Sequence, residues 1–362
     1  MKDMEEVIFW KNHPAVHDHQ FYKAMSLFYR VLLICDNPMP QNRIISSGWS
    51  SETGVETVFL NEQPSPMVFV RRFVAGHPNS IHVLCGLRSS RSVRLAMPLL
   101  MKFPSPRLVI SQEAPTKTTG LHRVFQHLLY RFLFTRCQKK VSALFTMGNM
   151  GIESYRRLGF PAQKLYSIMY SYPGVYPPLS PPAQTTFPLK IIYVGEAVRA
   201  KGVPLLLDAV RKINTDLIQL TFVGSDPMGI LACAQKDPLW KGRIRVLGVI
   251  PNKEILGIIS QHDLLILPSF NDGWGMVVTE ALIAGIGAIV TDACGSQDLP
   301  RLFQTGLVIR SKSKSAIIEA LEKVIHEPQL VFSWKVNARR FRDKTRPEQI
   351  AESMHKILSS LF

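Results

Sequence analysis

From residue 189 onward, short apolar runs alternate with amphipathic stretches, and only a few polar residues separate them. Leu189–Val194, Ile218–Val223, Arg243–Leu247, Asp263–Leu267 and Gly287–Thr291 have the length and aliphatic content of buried strands. Pro204–Lys212, Asn252–Ser260 and the stretch around Glu280 carry helical spacing between them. Strand–helix alternation with short connectors predicts a parallel, doubly wound sheet, whose ligands sit at the carboxyl ends of its strands.

The first half is less regular. Strands are predicted at Val7–Trp10, Val31–Cys35, Met67–Val70, Ile81–Cys85, Leu108–Ser111 and Ala143–Met147, with helices over Asp18–Tyr29, Arg91–Lys102 and Leu121–Lys140. A second α/β sheet follows from that pattern. Between the halves, Tyr172–Pro188 holds prolines at 173, 177, 178, 181, 182 and 188, a density that sustains neither a helix nor a central strand. The chain therefore divides into a first domain over 1–172, a linker over 173–188, a second domain over 189–340 and a terminal segment over 341–362.

Composition sharpens this picture. With 362 residues, 46% hydrophobic and 19% charged, the chain is globular and too long for one ordinary core. Its net charge of +16 is uneven, with +11 in residues 1–180 and +5 in the rest. A basic first half suits an anionic partner: a membrane surface, a charged lipid-linked acceptor or nucleic acid. Leu121–Lys140 reads either as a core helix with snorkelling arginines or as a surface helix that docks on anionic lipid. The five scattered cysteines lack zinc-like spacing and suit a reducing compartment. The start is acidic and runs into a strand, unlike a signal peptide, and no apolar run reaches the ~18–20 residues that span a bilayer. Those features predict a cytoplasmic protein, with the inner face of the membrane as its peripheral contact.

The chemistry concentrates in Leu267-Pro-Ser-Phe-Asn-Asp-Gly-Trp-Gly-Met-Val-Val-Thr-Glu-Ala-Leu-Ile-Ala-Gly285. An apolar strand leads through a loop with two glycines into a helix, and Asp272 and Glu280 lie eight residues apart. A helix start offers unpaired N–H groups and partial positive charge, which suit a phosphate. Gly273 and Gly275 admit a ligand where a Cβ would clash, and two carboxylates can hold sugar hydroxyls. The pattern reads as a nucleotide-sugar pocket.

Gly195-Glu-Ala-Val-Arg-Ala-Lys-Gly-Val-Pro204, Gly248–Asn252, Asp263–Ser269 and Asp272…Glu280-Ala-Leu resemble, in order and spacing, the C-terminal domain of family 4 retaining glycosyltransferases. The likeness is strong over 189–300; before it, Phe9–His17 and Tyr155–Pro161 are similar to one branch of that family. The resemblance implies the GT-B fold: two facing Rossmann-like doubly wound domains, with a C-terminal helix, Pro347–Leu358, that crosses back to the first domain. It implies that Lys201 binds the donor diphosphate, that Glu280 holds the ribose hydroxyls, and that Asp272 takes the place of a commoner glutamate near the donor sugar. These three are the expected catalytic residues. Gly273, Trp274, Gly275, Met276 and Val277 would meet the sugar and phosphate, with Trp274 either lining the pocket or anchoring the loop. Arg199 would assist at the diphosphate, and Val249 and Ile250 would touch the base. In the first domain, Gln112 stands where relatives carry a histidine, beside Glu113, and His17 follows the first strand towards the expected cleft. Glu196 departs from the family, which places an arginine after the glycine matching Gly195; Arg199 or Arg310 would compensate.

No Asp-x-Asp triplet suggests a metal, so lysine and helix dipole are expected to bind the diphosphate without one, and no cofactor is implied beyond the donor. The expected reaction moves a hexose from a nucleotide-diphosphate sugar to an acceptor hydroxyl of a glycan or lipid-linked carrier, with retention. Two alternatives stay open: a sugar-nucleotide epimerase of the same fold, or a non-catalytic anion- or nucleic-acid-binding protein. Against nucleic acid, no basic–aromatic motif is present.

Overall fold

The computed structural model describes residues 4–14, 18–40, 53–88, 90–115, 120–213 and 215–362. It divides into two compact units, Met1–Pro173 with Arg346–Phe362, and Gly174–Thr345.

The first unit is built on seven parallel strands: β1 (Glu6–Lys11), β2 (Arg30–Cys35), β3 (Glu56–Phe59), β4 (Ile81–Cys85), β5 (Leu108–Ser111), β6 (Val141–Met147) and β7 (Leu165–Ile168), in the order β3-β2-β1-β4-β5-β6-β7. Parallel strands are covered on both faces, which is why their apolar runs are continuous. Ile8, Trp10, Leu32, Ile34 and Leu84 point to one helical layer, made by α2 (Pro66–Gly76), α3 (Arg91–Leu100), α4 (Gly120–Cys137) and α5 (Gly148–Arg157). Val7, Phe9, Val31 and Leu33 alternate to the other face, against α1 (His19–Met25) and the C-terminal α13 (Pro347–Leu361). There the His355 ring stacks on Phe28 at 4.3 Å, and its Nδ1 lies 2.9 Å from the Tyr29 hydroxyl. The chain thus returns its last helix to the unit in which it began.

Met67–Val70, expected as a strand, is the first part of α2. A four-residue apolar run does not distinguish the two periods. Over the longer stretch, Val70 and Val74 turn inward while Arg71 and Arg72 stay exposed, and Pro66 sits at the first helical position, where its missing N–H costs nothing. Strands β3 and β7 have four residues each and are only half-buried, so they lack a strong apolar signal.

The second unit carries β8 (Leu189–Val194), β9 (Ile218–Val223), β10 (Ile244–Gly248), β11 (Leu264–Leu267), β12 (Gly287–Thr291) and β13 (Gly306–Ile309), ordered β10-β9-β8-β11-β12-β13 and all parallel. Its helices are α6 (Val203–Val210), α7 (Ile230–Lys236), α8 (Asn252–Ile259), α9 (Met276–Ala284), α10 (Asp298–Phe303), α11 (Lys314–His326) and α12 (Pro328–Phe341). The proline-rich segment before β8 forms neither helix nor strand. It is held by side chains from the end of α12: Arg342 donates to the Pro177 carbonyl at 2.7 Å and Arg339 to that of Ser180 at 3.2 Å.

A buried ion pair ties α12 to the sheet. Lys335, 6% exposed, donates to Asp263 at 2.5 Å, and the second oxygen of Asp263 accepts the Lys190 N–H at 2.8 Å. Removing one partner leaves a buried charge unpaired, which costs about 3–5 kcal/mol. Asp263→Ala is therefore expected to lower unfolding stability by about 3 kcal/mol, read by denaturant titration. A loss under about 1 kcal/mol, the range of an exposed pair, would show that the pair is solvated.

Candidate functional site

In each sheet the chain begins in the middle, moves outward to one edge and returns to the other side of its first strand. The loops after the two central neighbours therefore diverge, and a crevice opens at their carboxyl ends. In the second unit those strands are β8 and β11. The loop after β8 ends in a single 3-10 turn, Arg199–Lys201, closed by Gly202 at φ 76°. A Cβ on Gly202 would lie 2.1 Å from the Pro268 carbonyl oxygen, so only glycine lets the two loops touch. The Phe270 N–H donates to the Ala200 carbonyl at 2.9 Å, and the Lys201 ammonium donates to Asp272 at 2.6 Å.

Asp272 is held from the other side as well. Its N–H donates to Ala293, and its carbonyl accepts the Gly295 N–H, so the loop is laced to the turn after β12. Gly275, at φ 82°, starts α9 with no side-chain cap. The first N–H groups of α9, at Met276 and Val277, precede the first turn and have no partner from the helix itself. One turn later stands Glu280. Its side chain keeps some exposure, yet burial of the carboxyl raises its pKa to about 7, and no hydrogen bond or ion pair satisfies it among the described residues. The crevice thus combines a lysine, a helix start and an unfilled carboxylate acceptor. Such a set can bind phosphate at one end and a diol at the other.

Trp274 is 4% exposed and its indole N–H donates to Thr279 at 3.0 Å, so its ring anchors the loop. Val249 follows β10 at the same edge and is 73% exposed, an apolar surface open to a planar ring; Ile250 beside it is half-buried. Arg199 and Arg310 are both exposed. Glu196 is exposed too and turns towards Ser225, 3.5 Å from its hydroxyl, so water screens its charge.

Three features of this neighbourhood escaped the sequence pattern. Lys312, at φ 58°, sits over the Phe270 ring at 5.7 Å. The hydroxyls of Ser269 and Ser296 are fully buried and make no hydrogen bond among the described residues. Single serines and a lysine in a turn carry no periodic signal; only a polar group buried without need would have marked them.

The corresponding crevice of the first unit is a pocket of about 140 Å³ at the ends of β1, β4 and β5. Gln112 and Glu113 line it, whereas His17 lies outside the described residues. The Gln112 amide donates to Tyr130 at 3.0 Å while its oxygen is buried without a partner among the described residues. Glu113 accepts from Tyr170 at 2.6 Å. Lys11, Asp18, Tyr22 and Tyr170 also line the pocket, and the sequence reading did not include them. Burial pulls the Lys11 pKa down, but Asp18 at 2.5 Å, joined by Cys85 and Cys35, leaves the ammonium above its ordinary value. Lys11 thus ends, and Lys201 follows, the first strand of its own sheet, each paired with an aspartate.

Comparison with known proteins agrees with this fold. Residues 183–341 match the family described as "Glycosyl transferases group 1", and this segment is a domain of that group. TuaC of Bacillus subtilis, whose name assigns it to teichuronic acid biosynthesis as a glycosyltransferase, is 35% identical over 38% of this chain and 33% of its own. The lipopolysaccharide glucosyltransferase WaaG of Escherichia coli is 27% identical over 45% of each chain. The matches therefore span less than half of these relatives' length. Among solved structures, HepE of Anabaena with UDP superposes with a TM-score of 0.71 at 13% identity, covering 98% of this chain and 100% of its own. WaaG gives 0.61 at 17% identity, over 98% and 99%. The fold is GT-B.

The state of Glu280 has a measurable consequence. Its folded pKa, about 7, lies above the ordinary 4.5, so its neutral form suits the fold. Its contribution is complete below 4.5 and is lost as pH rises through 7. Thermal melts of wild type and Glu280→Gln should diverge across that window, with the variant gaining on wild type and the gap levelling off above it. A gap constant from pH 5 to pH 8 would mean that the carboxyl is solvated.

Proposed function

We propose that the protein is a retaining glycosyltransferase that moves a hexose from a nucleotide-diphosphate sugar to an acceptor hydroxyl in polysaccharide or lipid-linked glycan synthesis. The observation that carries the reading is the crevice at β8 and β11, where Lys201, the open start of α9 and the unfilled Glu280 carboxylate meet. In this reading the diphosphate lies against the N–H groups of Met276 and Val277, with Gly273 leaving room for its oxygens; Gly275 is needed for packing instead, since a Cβ there would lie 2.8 Å from Leu267. Lys201 turns from Asp272 to the departing phosphate and stabilises the charge that forms as the glycosidic bond breaks. Asp272, released, accepts from the hexose. Glu280 takes two hydrogen bonds from the ribose, and Val249 supports the base. Arg199 guards the entrance, and Trp274 keeps the loop in shape from behind. The transition state has oxocarbenium character, and the acceptor attacks on the face the nucleotide leaves. Lysine and helix dipole take the diphosphate charge, so no metal is assigned a part.

The first-unit pocket favours transfer over epimerisation. An epimerase needs no second binding site, whereas Gln112, Glu113, Asp18 and Tyr170 set polar groups suited to a hydroxylated acceptor into an otherwise largely apolar, partly open pocket of the first unit. A uridine nucleotide is the first donor to test, because HepE holds UDP and UDP-glucose in its crystals.

In chelator-containing buffer with the matching donor, Lys201→Ala is expected to lower kcat/KM on the order of 100-fold, the scale of one lost charge-stabilising donor. Asp272→Asn frees Lys201 while slowing transfer, so it is expected to bind the nucleoside diphosphate several-fold more tightly and turn over more slowly. Unchanged turnover in Lys201→Ala would remove the diphosphate from this lysine, and activity that vanishes with chelator would contradict metal independence. The ribose contact is tested separately. Glu280→Ala should weaken nucleotide binding about tenfold or more, and 2′- and 3′-deoxy nucleotides should bind wild type weakly but the variant no worse than the parent nucleotide. Additive losses in that cycle would place the ribose elsewhere.

A further inference from the structure

Helix α4 turns a face of the wrong chemistry to solvent. Its inward side is ordinary, since Phe134 and Cys137 are buried in the first-unit core and Tyr130 packs against it. On the other side Val124, Phe125, Leu128 and Phe132 are 56%, 65%, 62% and 51% exposed. At 3.6 residues per turn these four fall within an arc of about 100°. Arg131 borders that arc on one side and Arg136 on the other, both exposed, and the Arg136 guanidinium lies over the Phe132 ring at 4.1 Å. An apolar stripe flanked by arginines is the geometry of a helix lying in a membrane interface. The sequence of this segment suits either a core helix or a lipid-docking one; its exposure decides against a fully buried role.

The surroundings supply the charge. Residues 63–152 contain 13 Lys and Arg but a single acid, Glu113, and that residue lines the first-unit pocket. Helices α2, α3 and α4 cover the same face of the sheet, and Arg71, Arg72, Arg91 and Arg94 are exposed on the first two. Met67 and Val68, at the start of α2, are also about half exposed, at 48% and 47%. The helical layer thus combines exposed aliphatic and aromatic side chains with a nearly unopposed positive field.

We infer that this layer, with the Val124–Phe125–Leu128–Phe132 stripe at its centre, docks the protein on an anionic lipid bilayer. The stripe enters the acyl boundary while Arg131 and Arg136 remain at the depth of the phosphates. Charge complementarity selects this occupant. A second copy of the chain would bring like charges together, and nucleic acid would leave Val124 and Leu128 against phosphate. A bilayer offers apolar depth and diffuse negative charge together. The inference is independent of the donor chemistry proposed above.

Cosedimentation of the full chain with vesicles tests it. Phosphatidylcholine vesicles containing about one-third phosphatidylglycerol should bind the protein at least tenfold better than pure phosphatidylcholine. Phe125→Ser/Leu128→Ser should lower that partitioning about tenfold or more, with the melting temperature and the nucleotide-induced thermal shift retained, since both side chains are exposed. Arg131→Ser/Arg136→Ser should reduce the preference for the anionic vesicle. Equal partitioning of wild type and Phe125→Ser/Leu128→Ser, or equal binding to both vesicles, would overturn the inference. So would a dimer in light scattering that the apolar substitutions dissolve, because the stripe would then be a protein interface.

Discussion

A parallel sheet whose chain starts at its centre contains one point at which neighbouring loops must run apart, and both sheets of this protein are wound that way. The two candidate sites among the described residues lie at those two points. In the second unit the divergence leaves a crevice that the loops then narrow, through Gly202 against Pro268 and through the Phe270 to Ala200 hydrogen bond. The Lys201–Asp272 pair closes that contact with charge. Without ligand each ion satisfies the other, which holds the lysine where an anion would need it.

Glu280 shows the opposite arrangement. Its carboxyl is desolvated and no partner relieves it among the described residues, so the fold carries strain at one residue that it could have avoided with an alanine or a glutamine. Groups held in that condition gain from any ligand that donates hydrogen bonds to them. The stability of the second unit is supplied elsewhere, by its strands and by the buried Lys335–Asp263 pair beneath α12.

The first unit repeats the topology with different contents. Lys11 is buried against Asp18 and Tyr22 and does not present a free cation, while Gln112, Glu113 and Tyr170 give its pocket a mixed polar lining. That suits an uncharged polyol better than a diphosphate. The positive charge of this unit lies instead on the outer helical layer, where α4 exposes its apolar arc. The two properties occupy different places in the unit, the pocket at the strand ends and the basic layer on one face of the sheet.

Much of the second unit was legible before any coordinates, because a buried parallel strand must be continuously apolar and its helices amphipathic, and both periods are local. Asp272 and Glu280 were readable because loop, glycine and helix start succeed one another within one stretch of chain, whereas Lys201 stood out only through the resemblance to family 4 glycosyltransferases. The first unit was read less well. Met67–Val70 was too short to show its helical period, and β3 and β7 are too exposed to show a strand period. What only the tertiary structure decided is contact between distant segments. Lys201 meets Asp272 across 71 residues, and Trp274 turns inward to Thr279 instead of towards a ligand. Glu280 loses its water to its neighbours, and α4 shows its apolar side to solvent. Periodicity is a property of neighbouring residues, whereas desolvation and charge pairing depend on which residues from elsewhere in the chain arrive beside them.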